Sequence, residues 1–333
     1  MIKKPTVFNI NPGISFLNSL ATGILERYAR KPEILVNITI LLPTRRACRS
    51  LSTSFLELTN GKPTLLPKMI ALGDIDEDEI ILSGIDLLSS EASFEIAPAI
   101  PSLHRQLLLT RMILARKDSK MTTDQAAMLA QELARLLDQV QTEQLSFNKI
   151  NTLVKNEGLS KHWLKTLEFL TILTQHWPSI LAQHGVIDPA DRRNRLLDAQ
   201  TKLWQQRPPP GPVIAAGSTG SIPATADLLK TISQMENGSV VLPGLDKEVD
   251  EFVWQALEPS HPQYGLANLL KHLQIERIDV ADWESPINIF TPKSRSKLIN
   301  QALIPASVTD HWQTRIKQDP EALHGVTLLE AYN

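Results

Sequence analysis

Residues 38–58 read ITILLPTRRACRSLSTSFLEL. Ile38–Leu42 is an apolar run of strand length, the pattern expected of a strand covered on both faces. Pro43-Thr44 ends the run, and Leu51, Phe55 and Leu58 then recur at helical spacing. A buried strand leading into an amphipathic helix is half of a parallel β-α-β unit. The flanking sequence repeats the pattern. Thr6–Ile10 reads as a short strand, and Asn11-Pro12-Gly13 turns into a helix. That helix carries Ile14, Leu17, Leu20, Ala21, Ile24, Leu25 and Tyr28 on one face. Lys68–Leu72 reads as a third, weaker strand.

From about Ile100 to Gln206 the strand signal is lost. Thr122 and Gln125 have capping-box spacing and open a helix with Leu129, Leu133, Leu136, Leu137 and Val140 on one stripe. Trp163, Leu167, Leu170, Trp177 and Leu181 form another helical stripe, which Pro178 should kink or restart. Asp188-Pro189 has the form of an N-cap followed by proline in the first turn, opening a helix through Leu196, Leu197 and Trp204. Pro208-Pro209-Pro210-Gly211 stops the helical block. The α/β pattern then resumes: a strand at Pro212–Ala216, the small-residue loop Gly217–Ser221, a helix with Leu228, Leu229 and Ile232, and a buried strand at Ser239–Leu242. The expected architecture is therefore one parallel-sheet α/β domain, 1–99 with 207–305, interrupted by an all-α insertion at 100–206. Val326–Ala331 reads as a further strand, making 306–333 a linker into a following domain.

The 333 residues are 42% hydrophobic and 21% charged, an ordinary globular balance, with a formal net charge of -2. That charge excludes a general basic coat for nucleic acid, so any such contact must be local. The single cysteine, Cys48, excludes a disulfide framework and multi-cysteine metal sites within these residues; it reads as a packing residue. Pro5 and the polar residues after it break any signal-peptide pattern, and no apolar run approaches the roughly 20 residues that span a bilayer. A cytoplasmic chain without membrane contact is expected.

Loops after strands are where α/β proteins bind ligands. In the first, Asn9–Ser15, a phosphate-binding loop would need further glycines, a lysine for the β/γ-phosphates and a hydroxyl for Mg²⁺. Asn11, Gly13 and Ser15 stand there without a lysine, so nucleotide hydrolysis is not expected. The second, Pro43–Arg49, places Arg45, Arg46 and Arg49 at a helix N-terminus, where the helix dipole disfavours cations. That conflict points to an anionic partner. The third, Gly217–Ser221, offers Ser218 and Thr219 ahead of a helix and could hold an anion. The acidic run Asp74–Glu79 reads as a solvated helix start, and the eight histidines lack metal-ligand spacing.

Several segments are familiar together and in order: ILLPTRRACRSL (40–51), ALGDIDEDEI (71–80), RLLDQVQTE (135–143), HWPSILAQHGVIDPADRRNRLL (176–197), GPVIAAGSTGSIPATADLL (211–229), VVLPGLD (240–246) and HPQYGL (261–266). This set resembles the N-terminal region of the AddB family, the double-strand-break repair subunits of bacterial helicase–nucleases, in their alphaproteobacterial form. The resemblance implies a RecA-like, superfamily 1 helicase-like domain with a degenerate P-loop and a helical insertion. It implies a noncatalytic DNA-binding and scaffolding role in repair and recombination. An AddA-type helicase–nuclease would be the partner in resecting DNA ends, and single-stranded DNA the ligand. No cofactor is expected in this segment, nor a complete ATPase or nuclease site. Thr44, Arg45 and Arg46 lie where such proteins carry a strand-contacting motif, and Gly217, Ser218 and Thr219 where a later sensing motif sits. The competing expectation is an α/β enzyme holding a phosphorylated small molecule at Gly217–Ser221. A third is a purely structural protein, favoured if Arg45, Arg46 and Arg49 are consumed by internal ion pairs.

Overall fold

The computed structural model describes residues 5–28, 32–73, 96–116, 121–145, 170, 175–284, 293–313, 319–327 and 329–330. Its elements, in chain order, are β1 (Val7–Ile10), α1 (Phe16–Tyr28), β2 (Thr39–Leu42), α2 (Arg45–Leu58), β3 (Lys68–Ala71), α3 (Ser102–Leu114), α4 (Thr123–Thr142), α5 (Trp177–His184) and α6 (Pro189–Gln206). There follow β4 (Val213–Ala216), α7 (Pro223–Gln234), β5 (Gly238–Pro243), α8 (Glu251–Gln255), α9 (Tyr264–Leu273), β6 (Ala281–Asp282) and α10 (Lys293–Ala302). The chain divides into two compact units, one of residues 1–76, 207–221 and 225–333, the other of 77–206 and 222–224.

The first unit is built on a six-stranded sheet in the order β3-β2-β4-β5-β1-β6 with every pair parallel, an α/β architecture compatible with a RecA-like domain. The central strands β4 and β5 are buried almost throughout, which is why they read as continuous apolar runs rather than alternating ones. Chain order against sheet order shows how the sheet is wound. From β1 the chain steps to β2 and β3 in one direction, then returns to β4, β5 and β6 in the other. Right-handed crossovers put the helices of these two series on opposite faces. The connections therefore diverge at two places, between β2 and β4 and between β5 and β1.

On the face of α1 and α2, Leu20, Ala21, Ile24, Leu51 and Phe55 close over Ile40, Leu42 and Ile214. Cys48 packs half-buried against this cluster, as its apolar character suggests. Leu58, expected on the same stripe, is instead more than a third exposed, because α2 ends there and its last turn overhangs the cluster. The edge strand β6 was not legible in the sequence. Its two residues are exposed, and the anchor is the next residue, Trp283, whose N–H donates to Asn9 O at 2.8 Å and whose indole donates to Ser19 O at 3.1 Å. Gly23 makes room for that ring, since a Cβ there would lie 2.2 Å from Trp283 Nε1.

The described part of the second unit is helical apart from one isolated parallel bridge between Ala99 and Ile187. The capping box expected at Thr122 and Gln125 opens α4, and Pro178 lies in the first turn of α5, restarting the helix. Asp188, just before α6, makes its side-chain contacts with other helices. It is 1% exposed; Oδ1 meets Arg105 Nε at 2.9 Å, while Oδ2 accepts from Gln141 Nε2 at 2.8 Å and Trp177 Nε1 at 3.0 Å. One carboxylate thus ties α3, α4 and α5 to the start of α6. Trp163, Leu167 and the acidic run Asp74–Glu79 lie outside the described residues.

The tail departs from expectation. Residues 306–313 and 320–323 are 3-10 helices, and Val326, Thr327, Leu329 and Glu330 form no strand. The Arg295 guanidinium of α10 donates to the carbonyls of Ala322 and His324.

Candidate functional site

The strand ends of the first unit bring the sequence-predicted loops together at the two divergence points, the places where open α/β sheets bind ligands. At the junction of β2 and β4, Leu41 pairs with Ala215, so Pro43–Thr44 and Gly217–Ser218 emerge side by side. A Cβ on Gly217 would lie 3.6 Å from Pro43 Cδ and 3.2 Å from the ring of Phe16, and its φ of 76° is one that glycine supplies without strain. Three loops therefore converge at one point. Phe16, at the start of α1, was not singled out in the sequence; its role depends on a contact two hundred residues away.

Thr44 is the N-cap of α2, its Oγ1 accepting from Ala47 N at 3.1 Å. The arginines that follow share one side of the helix. Leu51, Ser54 and Phe55 define its buried face, and at 100° per residue Arg45, Arg46 and Arg49 fall on the opposite face. Arg45 is half-buried, while Arg46 and Arg49 are exposed and form no ion pair among the described residues. Among the described residues, two of the three positions therefore lack the internal ion pairs that would make this cluster structural.

The Gly217–Ser221 loop is tightly packed. Ser218 Oγ accepts from Gly220 N at 3.3 Å, closing a local turn. A Cβ on Gly220 would meet Leu269 at 2.7 Å, and one on Gly265 would meet the Thr219 side chain at 3.3 Å. Leu269, Leu229 and Phe16 pack against the loop's glycines.

The second junction, between β5 and β1, is laced shut. Asn9, 1% exposed on β1, donates to Leu245 O at 3.2 Å and accepts from Leu245 N at 2.7 Å. Its amide also donates to Asn11 Oδ1 at 2.8 Å. Gln263 holds the other side, donating to Gly244 O at 2.9 Å and accepting from Asp246 N at 3.0 Å. His261 Nδ1 accepts from Gln263 N at 3.1 Å, and burial lowers the imidazole pKa against the Leu303 carbonyl and Asp246, which raise it. Gly13, with φ 86°, makes the turn, and the Ser15 carbonyl starts α1 by accepting from Ser19 N. Asn11, Gly13 and Ser15 thus belong to the turn from β1 into α1, and no lysine stands among them.

Among the described residues no three His, Cys, Asp or Glu side chains gather as a metal site would require, and no helix is long and apolar enough to cross a membrane. No protein-family model matches the chain, and no curated protein sequence matches it.

Proposed function

We propose that this chain is a noncatalytic, single-strand-binding and scaffolding segment of an AddB-type repair subunit, acting beside an AddA-type helicase–nuclease in the cytoplasm. The observation that carries the proposal is the junction of β2 and β4. There an outward-facing arginine cluster, two of its members without counter-charges among the described residues, adjoins a glycine- and hydroxyl-bearing loop at the C-terminal ends of the strands. A formal net charge of -2 makes such a cluster a local feature, suited to a few phosphates rather than to wrapping a duplex. The lacing of Asn9 across the other junction, and the missing lysine, support a role without nucleotide turnover. Packing behind Gly217–Ser221 weighs against a phosphorylated small molecule held beneath that loop.

Fluorescence anisotropy of a labelled single strand at low salt tests this, with a sugar phosphate as competitor. The dissociation constant should fall in the nonspecific range of about 1–100 μM. Millimolar sugar phosphate should displace little of the strand. No binding at about 50 mM salt would refute the reading.

A further inference from the structure

The helical unit brings together two histidines that strand binding does not use. His104 lies in the first turn of α3, and His184 is the last residue of α5. Their places are fixed from several sides. Ile187 N donates to Pro98 O at 3.0 Å and Ile100 N donates to Ile187 O at 2.9 Å, which ties the approach to α3 to the exit from α5. Arg105, beside His104, is anchored on Asp138 and Asp188, and Gly185, with φ 63°, ends α5 directly after His184. The two imidazoles meet edge to face, with ring centres 5.2 Å apart and planes at 86°. Both residues are exposed, and among the described residues neither ring makes a hydrogen bond or ion pair.

That spacing is the one a shared tetrahedral ion requires. Zn–N bonds of about 2.0–2.1 Å, with about 1.1–1.2 Å more from nitrogen to ring centre, put two imidazole centres about 5.2 Å apart across a tetrahedral angle. Rotation about Cβ–Cγ turns either nitrogen edge toward the other ring and leaves the ring centre nearly in place. Imidazole nitrogen suits zinc, whereas Mg²⁺ and Ca²⁺ prefer oxygen donors. The helix ends oppose each other, since the C-terminus of α5 favours a cation and the N-terminus of α3 does not, so the imidazoles make the selection.

We propose that His104 and His184 together bind one Zn²⁺ ion, with water in its remaining positions, and so clamp α3 to α5. Positions 104 and 184 fit no metal motif, because only the fold brings them together. Two protein ligands are fewer than the four of a structural zinc or the three of a catalytic one, and no third His, Cys, Asp or Glu joins them among the described residues. The ion is therefore held reversibly, and the helical unit is more stable when free zinc is present.

Calorimetric titration of ZnCl₂ into the chelator-stripped full chain, in excess Mg²⁺, tests this. The expected result is one ion per chain in the micromolar range, with a raised thermal unfolding midpoint. His104→Asn and His184→Asn, both exposed substitutions, should each weaken binding by about ten-fold or more, the loss that even an outer-shell partner causes, and abolish the rise in midpoint. His272→Asn, which breaks the surface pair of His272 with Asp227, should leave zinc binding unchanged. No saturable binding by about 1 mM Zn²⁺, a loss confined to His272→Asn, or a loss in only one of the two pair variants would each overturn the assignment. So would two ions per chain with one lost in each variant, which would make the two imidazoles independent.

Discussion

Gly23 and Arg105 show how single residues hold the two units in shape. An alanine at position 23 would gain about 1 kcal/mol of helix propensity. It would also drive a methyl group into the Trp283 indole, at an overpacking cost of about 1–3 kcal/mol plus about 1 kcal/mol for the hydrogen bond to Ser19. Gly23→Ala should therefore lower stability by about 1–3 kcal/mol in urea denaturation. An equal or raised midpoint would show that Trp283 can move aside. In the second unit, Arg105 is 4% exposed and bridges Asp188 and Asp138. Arg105→Ala leaves the buried Asp188 without its cation, a change that costs about 3–5 kcal/mol. Arg105→Met, which fills the space but leaves the same charge, should recover little of the loss. Full recovery would mean that packing, and not the ion pair, holds these helices.

At the scale of elements, the β5–α9 connection should depend on pH. His261 can accept from Gln263 N only while Nδ1 is unprotonated, and burial holds its pKa below the usual histidine value. The unfolded chain therefore takes up the proton first as pH falls. The stability contributed by His261 is complete above about pH 6.5 and declines below it toward the folded-state pKa. The wild type should lose more thermal stability between pH 7.5 and 5.5 than His261→Gln, with equal losses contradicting the assignment. Strands β2, β4 and β5 were legible because burial on both faces demands apolar runs. Strand β6 was not, since two exposed residues carry no pattern and their place is set by Trp283. The arginine cluster was visible as a charge in conflict with a helix dipole. Phe16 and Gln263 were missed because their roles come from contacts outside their own segments, and His261 because a single local hydrogen bond leaves no pattern. Asp188 was seen as an N-cap from its Pro189 neighbour, but its bonds to Arg105, Gln141 and Trp177 left no local signature.

Across the whole molecule, the sheet offers two junctions, one laced by Asn9 and Gln263, the other bordered by Arg46 and Arg49. ATP with Mg²⁺ should give neither turnover nor micromolar binding in calorimetry, and turnover by the purified chain would contradict the account of the first loop. The central claim concerns the junction of β2 and β4, and the salt dependence of strand binding tests it most directly. Two to four phosphates, at about -0.7 per phosphate in log–log slope, give an expected slope of roughly -1.5 to -3 for anisotropy-measured affinity. Replacing Arg45 and Arg46 together by alanine should weaken binding to all base sequences alike and flatten that slope by about 1–1.5. Removing the hydroxyls of Ser218 and Thr219 should weaken binding and leave the slope nearly unchanged, since neither is charged. A double arginine variant that keeps the wild-type slope would contradict the claim and place the strand elsewhere on the molecule.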